Sequence, residues 1–291
     1  MSSSSVGLIG AGLLGQSIAH CLLQSNETVT GFDIDQQRCL ELVEQGAQTV
    51  QSAADVCQQC RRIFLSLPDS TIVATVVEEI RSQLQAGDII IDTTTGNPRD
   101  TRHLSQSLAK EGISYLDATI VGSSVQVRSR EVLMLIGGDA SAVSDCQPLL
   151  DAISSQALHL GPSGAGATMK LVVNLVLGLN RAVLAEGLSL GEACGLEAAQ
   201  VLSVLRQSPA YSGVMDTKGS KMIREDFSPQ ARLAQHLKDV QLILQLGDEH
   251  SQSLSLSQVH QSLLETAVEL GYADADNSAV IMASRSKRNS D

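Results

Sequence analysis

The chain has 291 residues, 43% hydrophobic and 18% charged, with a formal charge of −12. This composition suits a globular chain of two domains or one large one. The acidic balance and an aromatic content of only 2% argue against a nucleic-acid surface, which needs basic patches and stacking rings.

The first half alternates between strand and helix patterns. "VGLI" reads as a short buried strand, Leu13 to Gln24 as a helix, "TVTGF" as a strand ending at Phe32, and Asp35 to Glu44 as a helix. "RIFLSL", "DIIID" and "ISYLDA" are further strands with helical stretches between them, and "VLMLIGG" and "QALHL" are strands added late. Such alternation implies a mostly parallel sheet covered on both faces. From about Ser163 the period becomes helical. "GAGATMKLVVNLVLGLNRAVLAEGLSLGEACG", "EAAQVLSVLRQS" and "LAQHLKDVQLILQLGDEH" read as helices, with loops at "SPAYSGV" and "DFSPQ". The expected fold class is therefore α/β: an N-terminal Rossmann dinucleotide-binding domain over 1–162 and an all-α C-terminal domain over 163–291, joined by a long helix. The tail "SRSKRNSD" is expected to fray.

Cys21, Cys39, Cys57, Cys60, Cys146 and Cys194 are scattered and suggest no disulfide framework, which fits a reducing, cytoplasmic compartment. Cys57-x-x-Cys60 has no second ligand pair, so no metal is expected. The start "MSSSSVGLIGAGLLG" has no positive region, the first arginine being Arg38, and does not read as a targeting segment. The apolar stretch from Met169 to Leu179 is too short to span a membrane.

"VGLIGAGLLGQSIAHCLL" places Gly10, Gly12 and Gly15 as G-x-G-x-x-G between a strand and a helix. Those glycines permit a tight turn, close approach to a pyrophosphate and close helix–strand packing, with the helix N-terminus facing the phosphates. The cofactor loop is thus Gly10, Ala11, Gly12, Leu13, Leu14 and Gly15. Asp33 follows the second strand, where a carboxylate holds the adenosine ribose hydroxyls and repels a 2′-phosphate. The next residues, Ile34 and Asp35, offer no arginine for a phosphate, so NAD is expected over NADP. Asp35 also reads as a helix cap.

The segment "GATMKLVVNLVLGL" raises a different question, because it buries Lys170 and Asn174 in an otherwise apolar helix. A buried ammonium costs several kcal/mol unless it is paired or loses its proton. Four residues apart, the two side chains share one helix face. That arrangement fits either a polar task or a structural salt bridge with a satisfied amide.

Together, "GLIGAGLLG", "LSLPDS", "DTTTGNP", "DATIVGSS", "GPSGAGATMKLVVN" and "LKDVQL" resemble the β-hydroxyacid dehydrogenase family, over nearly the whole chain and in the family's order. The resemblance implies that Leu67 and Pro68 line the cofactor cleft and that Thr95 lies near the nicotinamide end. It further implies that Lys170 is the catalytic acid/base, that Asn174 holds substrate, and that Lys238 reaches the cofactor with Asp239 orienting it. Backbone groups at Gly122 and Ser123 are expected to bind a substrate acid group. The partner so implied is a small anionic hydroxy acid or aldehyde acid, with a homodimer or homotetramer as the assembly and neither nucleic acid nor membrane as a partner. The alternative is a catalytically silent dinucleotide-binding module; a relative acting on imines would be expected to replace the lysine.

Three positions depart from the family pattern. Its loop D-x-P-V-S-G-G here reads "DATIVGS", which puts Thr119, Val121 and Ser123 where proline, serine and glycine are usual. Val173 stands where asparagine or histidine often precedes Asn174, unlike 6-phosphogluconate dehydrogenases. Ala231, beside Arg232, replaces an aromatic residue. The loss of a hydroxyl at Val121 and its gain at Ser123 predict a substrate more polar than 3-hydroxyisobutyrate.

Overall fold

The computed structural model describes residues 5–286. Two compact units divide between Lys170 and Leu171.

The first unit is a doubly wound sheet. Its strands are β1 (Val6–Ile9), β2 (Val29–Phe32), β3 (Gln48–Thr49), β4 (Arg62–Leu65), β5 (Ile89–Asp92), β6 (Ser114–Val121), β7 (Leu133–Gly137) and β8 (Gln156–Gly161). Their order across the sheet is β3-β2-β1-β4-β5-β6-β7-β8. Every pairing is parallel except β6 with β7. Helices α1 (Leu13–Gln24), α2 (Gln36–Glu44), α3 (Ala53–Gln59), α4 (Ser70–Ile80), α5 (Pro98–Ala109), α6 (Ser124–Arg128) and α7 (Ala140–Ile153) make the connections. Both faces of the central strands are buried. On β4, Phe64 enters one apolar cluster while Ile63 and Leu65 enter the other, as the two-residue period of a strand covered on both sides requires. The chain reverses its winding direction between β1 and β4. In such sheets that switch point opens a crevice at the carboxyl ends of the strands.

Helix α8 (Ala165–Ala193) begins in the first unit and continues into the second. At 29 residues it is long and apolar enough, by length and composition alone, to cross a membrane, and it is much longer than its apolar core from Met169 to Leu179 suggests. It carries buried Asn174 and Arg181, and Leu184 and Leu188 join the core of the helical unit. The rest of that unit is α9 (Ala198–Gln207), α10 (Val214–Arg224), α11 (Leu233–Glu249), α12 (Ser255–Ala267) and α13 (Ile281–Ser286). Asp276, fully buried, ties it together. Its carboxylate accepts from Lys218 Nζ at 2.8 Å, from the Gln230 N–H at 3.0 Å and from Ser278 Oγ at 2.7 Å.

The first residues of "SRSKRNSD", expected to fray, are helical. Arg285 lies in α13 and pairs with Glu192 at 2.7 Å and Glu225 at 2.8 Å, so partners distant in sequence anchor it. Residues 287–291 of that tail lie outside the described residues.

Candidate active site

The carboxyl ends of β1, β2, β4, β5 and β6 bring the first unit's expected site residues to one edge of the sheet. Gly10 ends β1 with φ +94°, a conformation that disfavours side chains. A Cβ there would come within 2.3 Å of the Ser66 carbonyl oxygen, and one on Gly15 within 2.1 Å of the Gly10 carbonyl oxygen. Gly12 precedes α1 in extended conformation with no side-chain cap. The first N–H groups of α1 are therefore open to an anion. A cradle that bare backbone alone can form fits the pyrophosphate of a dinucleotide.

Asp33 is buried, and its two oxygens do different work. Oδ2 accepts from the Ala11 N–H at 2.7 Å and Oδ1 from the Asp35 N–H at 2.9 Å. The carboxylate thus clips the glycine loop to the end of β2. Asp35 caps α2, accepting from the Gln37 N–H at 3.0 Å. Arg38 corrects the expectation that no arginine stands nearby. Its guanidinium lies 3.6 Å from Asp33 Oδ2 and 3.6 Å from Asp35 Oδ2, and Nη1 lies 3.7 Å from where a Gly12 Cβ would be. One helical turn carries Arg38 back toward the loop, which inspection of adjacent residues alone could not detect.

A hydrogen-bonded chain joins the two loops after β4 and β5. The Leu67 N–H donates to Thr94 Oγ1 at 3.1 Å, and the Thr94 N–H donates to Asp92 Oδ1 at 2.9 Å. Tyr115 Oη donates to Asp92 Oδ2. Burial pushes the Asp92 carboxyl up to about 6. Leu67, Pro68 and Thr95 all fall in these two loops.

Lys170, half-buried, lies in the second turn of α8, and its Nζ donates to the Ile120 carbonyl at 2.6 Å. Asn174 is one turn further along the helix. In the helical unit its Nδ2 donates to Asp239 Oδ2 at 3.0 Å, so Asp239 holds Asn174, beyond the expectation that it orients Lys238. Arg181, also buried, contributes a positive charge near Asp239 and Asp276, and burial lowers its own pKa to about 10. Lys238 is half-buried on α11.

The loop after β6 turns at Gly122, with φ +143°. Ser123 caps α6 in a reciprocal box: its Oγ accepts from the Gln126 N–H at 3.3 Å, while its own N–H donates to Gln126 Oε1 at 2.9 Å. Its Oγ also lies 3.1 Å from Gln126 Oε1, as donor. The polar atoms that Ser123 would offer a ligand are thus engaged within the loop. Thr119 is buried and donates weakly to the carbonyls of Gly166 and Leu135, at 3.3 and 3.4 Å.

The Cys57 and Cys60 thiols are buried; burial pushes Cys57 up to about 12 and raises Cys60. Neither has the thiolate character that redox chemistry needs. Among the described residues, no group of three or more His, Cys, Asp or Glu side chains is arranged to hold a metal ion.

Residues 5–161 match the NAD binding domain of 6-phosphogluconate dehydrogenase, and residues 164–284 match the NAD-binding region of NADP-dependent 3-hydroxyisobutyrate dehydrogenase. The chain is 32% identical to 2-(hydroxymethyl)glutarate dehydrogenase of Eubacterium barkeri, covering 96% of this chain and 94% of that protein.

The chain belongs to the β-hydroxyacid dehydrogenase family.

Its similarity to glyoxylate/succinic semialdehyde reductase 1 of Arabidopsis thaliana is 28% identity over 97% of this chain and 99% of that protein. The 3-hydroxyisobutyrate dehydrogenase of Mycobacterium tuberculosis, solved with L-serine, shares the fold at a TM-score of 0.90 and 22% identity. That match covers 97% of this chain and 99% of the other. This family member is an NAD(P)-dependent oxidoreductase of β-hydroxy acids.

Proposed function

We propose that this dehydrogenase moves a hydride between NAD and the hydroxyl-bearing carbon of a small, polar β-hydroxy acid, with Lys170 as acid and base. The observation that carries this reading is the seating of Lys170. Its amine is held at the end of β6 by the Ile120 carbonyl, and the amide of Asn174 follows one helical turn later. NAD, when bound, supplies the hydride acceptor. In oxidation, Lys170 as a neutral amine takes the hydroxyl proton; in reduction, its ammonium returns it. Asn174 commits one N–H to Asp239, which leaves its carbonyl oxygen and second N–H to orient the substrate. The glycine loop from Gly10 to Gly15 binds the pyrophosphate and Asp33 the ribose hydroxyls. Leu67, Pro68, Thr95 and Lys238 serve the nicotinamide half. NAD is preferred over NADP because Asp33 faces the 2′ position, and Arg38 moderates that preference.

The acid group of the substrate meets the loop at Gly122 and Ser123, with Ser123 contributing if Gln126 turns aside. Val121 brings no hydroxyl to this loop, where the family usually has serine, which weakens its hold on 3-hydroxyisobutyrate. The named activity of the Eubacterium barkeri relative, on 2-(hydroxymethyl)glutarate, supports a hydroxymethyl acid with a second carboxylate. A panel of 2-(hydroxymethyl)glutarate, 3-hydroxyisobutyrate, tartronate semialdehyde, sulfolactaldehyde and succinic semialdehyde, assayed through NADH absorbance, tests this. The highest kcat/KM is expected on a substrate more polar than 3-hydroxyisobutyrate. Preference for 3-hydroxyisobutyrate refutes the loop argument, and no turnover with any of them favours a silent binding module.

The assembly we propose is a homodimer, with the tetramer as its larger form. Val172, Val176, Val183 and Leu190 lie exposed along α8. Three of them are spaced by seven residues, a seam suited to a second helix.

A further inference from the structure

Helix α8 starts without a cap of its own. Gly164, at its N-cap position, has no side chain, yet the first N–H groups of a helix need acceptors. Asp117, in the middle of β6 and buried, supplies them. Its Oδ1 accepts from the Gly164 N–H at 2.8 Å and its Oδ2 from the Ala167 N–H at 2.8 Å. The fit is close. A Cβ on Gly137 would come within 2.6 Å of Asp117 Oδ1, and one on Gly166 within 2.5 Å of the Asp117 carbonyl oxygen. Three residues further along β6, the Ile120 carbonyl receives Lys170 Nζ. One strand therefore holds both the origin of the helix and the amine in its second turn.

We propose that Asp117 is the positioning residue for Lys170, fixing where the amine stands and opposing the positive helix end that would strip its proton. The assignment rests on the reading of Lys170 as the acid/base group. A helix N-terminus carries partial positive charge that disfavours a nearby ammonium, and a carboxylate placed there offsets it. Among the described residues, the charged or titratable groups around Asp117 are these. Asp92 lies directly opposite it on β5, and Tyr115 lies two residues earlier on β6. Arg102 of α5 packs against Gly164, and His159 of β8 bonds the carbonyls of Gly138 and Gly161. Lys170 itself stands on α8. Burial raises the Asp117 carboxyl, while the N–H groups of Gly164 and Ala167 favour its charged form.

Asp117→Asn separates this role from simple packing. The amide keeps one acceptor oxygen but turns an NH2 toward a second N–H donor, and it carries no charge. The expected result is a kcat lower by about 10- to 100-fold, with the NAD dissociation constant, measured by calorimetry, within about threefold of wild type. The acid limb of the kcat–pH profile for oxidation should move to lower pH, because the positive end of the helix that carries Lys170 then lacks the anion that offsets it. Asp117→Glu keeps the charge but is too long for the space at Gly137; it should lose kcat with the limb in place. If Asp117→Asn does not fold, Asp117→Glu and Lys170→Ala carry the test: a Glu variant with wild-type kcat overturns the assignment. An unmoved limb in Asp117→Asn marks a structural role and overturns it too. Turnover retained in Lys170→Ala overturns the acid/base reading and this assignment with it. Turnover lost there but unchanged in Asp117→Asn overturns this assignment alone.

Discussion

Asn174 donates from Nδ2 to Asp239 Oδ2 at 3.0 Å, and both residues are buried in the helical unit. The bond decides which way the amide faces, because a carboxylate only accepts. Replacing Asp239 with Ala leaves a buried N–H without its acceptor and lets the amide rotate. A hydrogen bond to a charged group is worth roughly 1.5–3 kcal/mol, or about 10- to 150-fold. Asp239→Ala is therefore expected to lower kcat/KM for the hydroxy acid by about that factor. Asn174→Asp should be worse, since it sets two carboxylates face to face. Steady-state kinetics with saturating NAD checks both. Wild-type kcat/KM in Asp239→Ala would show that the orientation of Asn174 does not matter.

Cofactor preference follows from Asp33 and Arg38. Asp33 presents a carboxylate to the ribose, while Arg38 lies 3.6 Å from it and offers a positive charge to a 2′-phosphate. We expect kcat/KM for NAD to exceed that for NADP, and Asp33→Asn to narrow the gap by lowering the first and raising the second. The double variant Asp33→Asn, Arg38→Ala should lose that gain with NADP. Equal use of both cofactors by the wild type, or an NADP preference, contradicts the reading of Asp33.

Two buried groups give the two units opposite responses to acid. His260, in the helical unit, is lowered from 6.5 to about 4 by burial and by the charge of Arg181. Between those values the unfolded chain binds a proton that the folded one refuses, so stability is lost as pH falls from about 6.5 to 4, on the order of 3 kcal/mol in all. Asp92, in the first unit, is raised from 3.8 to about 6 by burial. There the folded form takes up the proton first, so stability is gained as pH falls through 6 toward 4. Against the cost of its burial, hydrogen bonds from Lys218 and Ser278 hold Asp276 down to about 2, so it stays charged throughout. Peptide-resolved hydrogen exchange at pH 7 and pH 5, corrected for intrinsic rates, should show α11 and α12 losing protection while β4 to β6 hold or gain it. His260→Leu should flatten the response of the helical unit. Parallel loss in both units contradicts this assignment.

Much of the architecture is local in origin and therefore readable along the chain. Leu13–Gln24 forms α1 with the expected ends, and Asp35 caps α2 as its residue type suggests. β3 leaves no sign in the sequence because two residues carry no period, and α6 leaves none because five residues held by a Ser–Gln capping box look like loop. Site residues were legible where a motif is contiguous, as from Gly10 to Gly15. They were not where the fold makes the contact. Arg38 reaches the glycine loop only once α2 has turned. Asp117 meets Ala167 across fifty residues of chain, and no periodicity foretells that. Ser123 offers a hydroxyl in the sequence, but in the structure Gln126 engages that hydroxyl.

Lys170 is the group on which the proposed proton transfer turns, and single-turnover oxidation by Lys170→Ala tests that role most directly. With enzyme in excess over a substrate the wild type turns over, and with NAD saturating, the variant should form NADH about 100- to 10,000-fold more slowly. Its NAD dissociation constant should stay within about threefold of wild type, since Lys170 is assigned to proton transfer and the cofactor is held by the loop from Gly10 to Gly15 and by Asp33. A rate within a few-fold of wild type would mean that the amine on Ile120 is a structural tie and that the proton moves elsewhere.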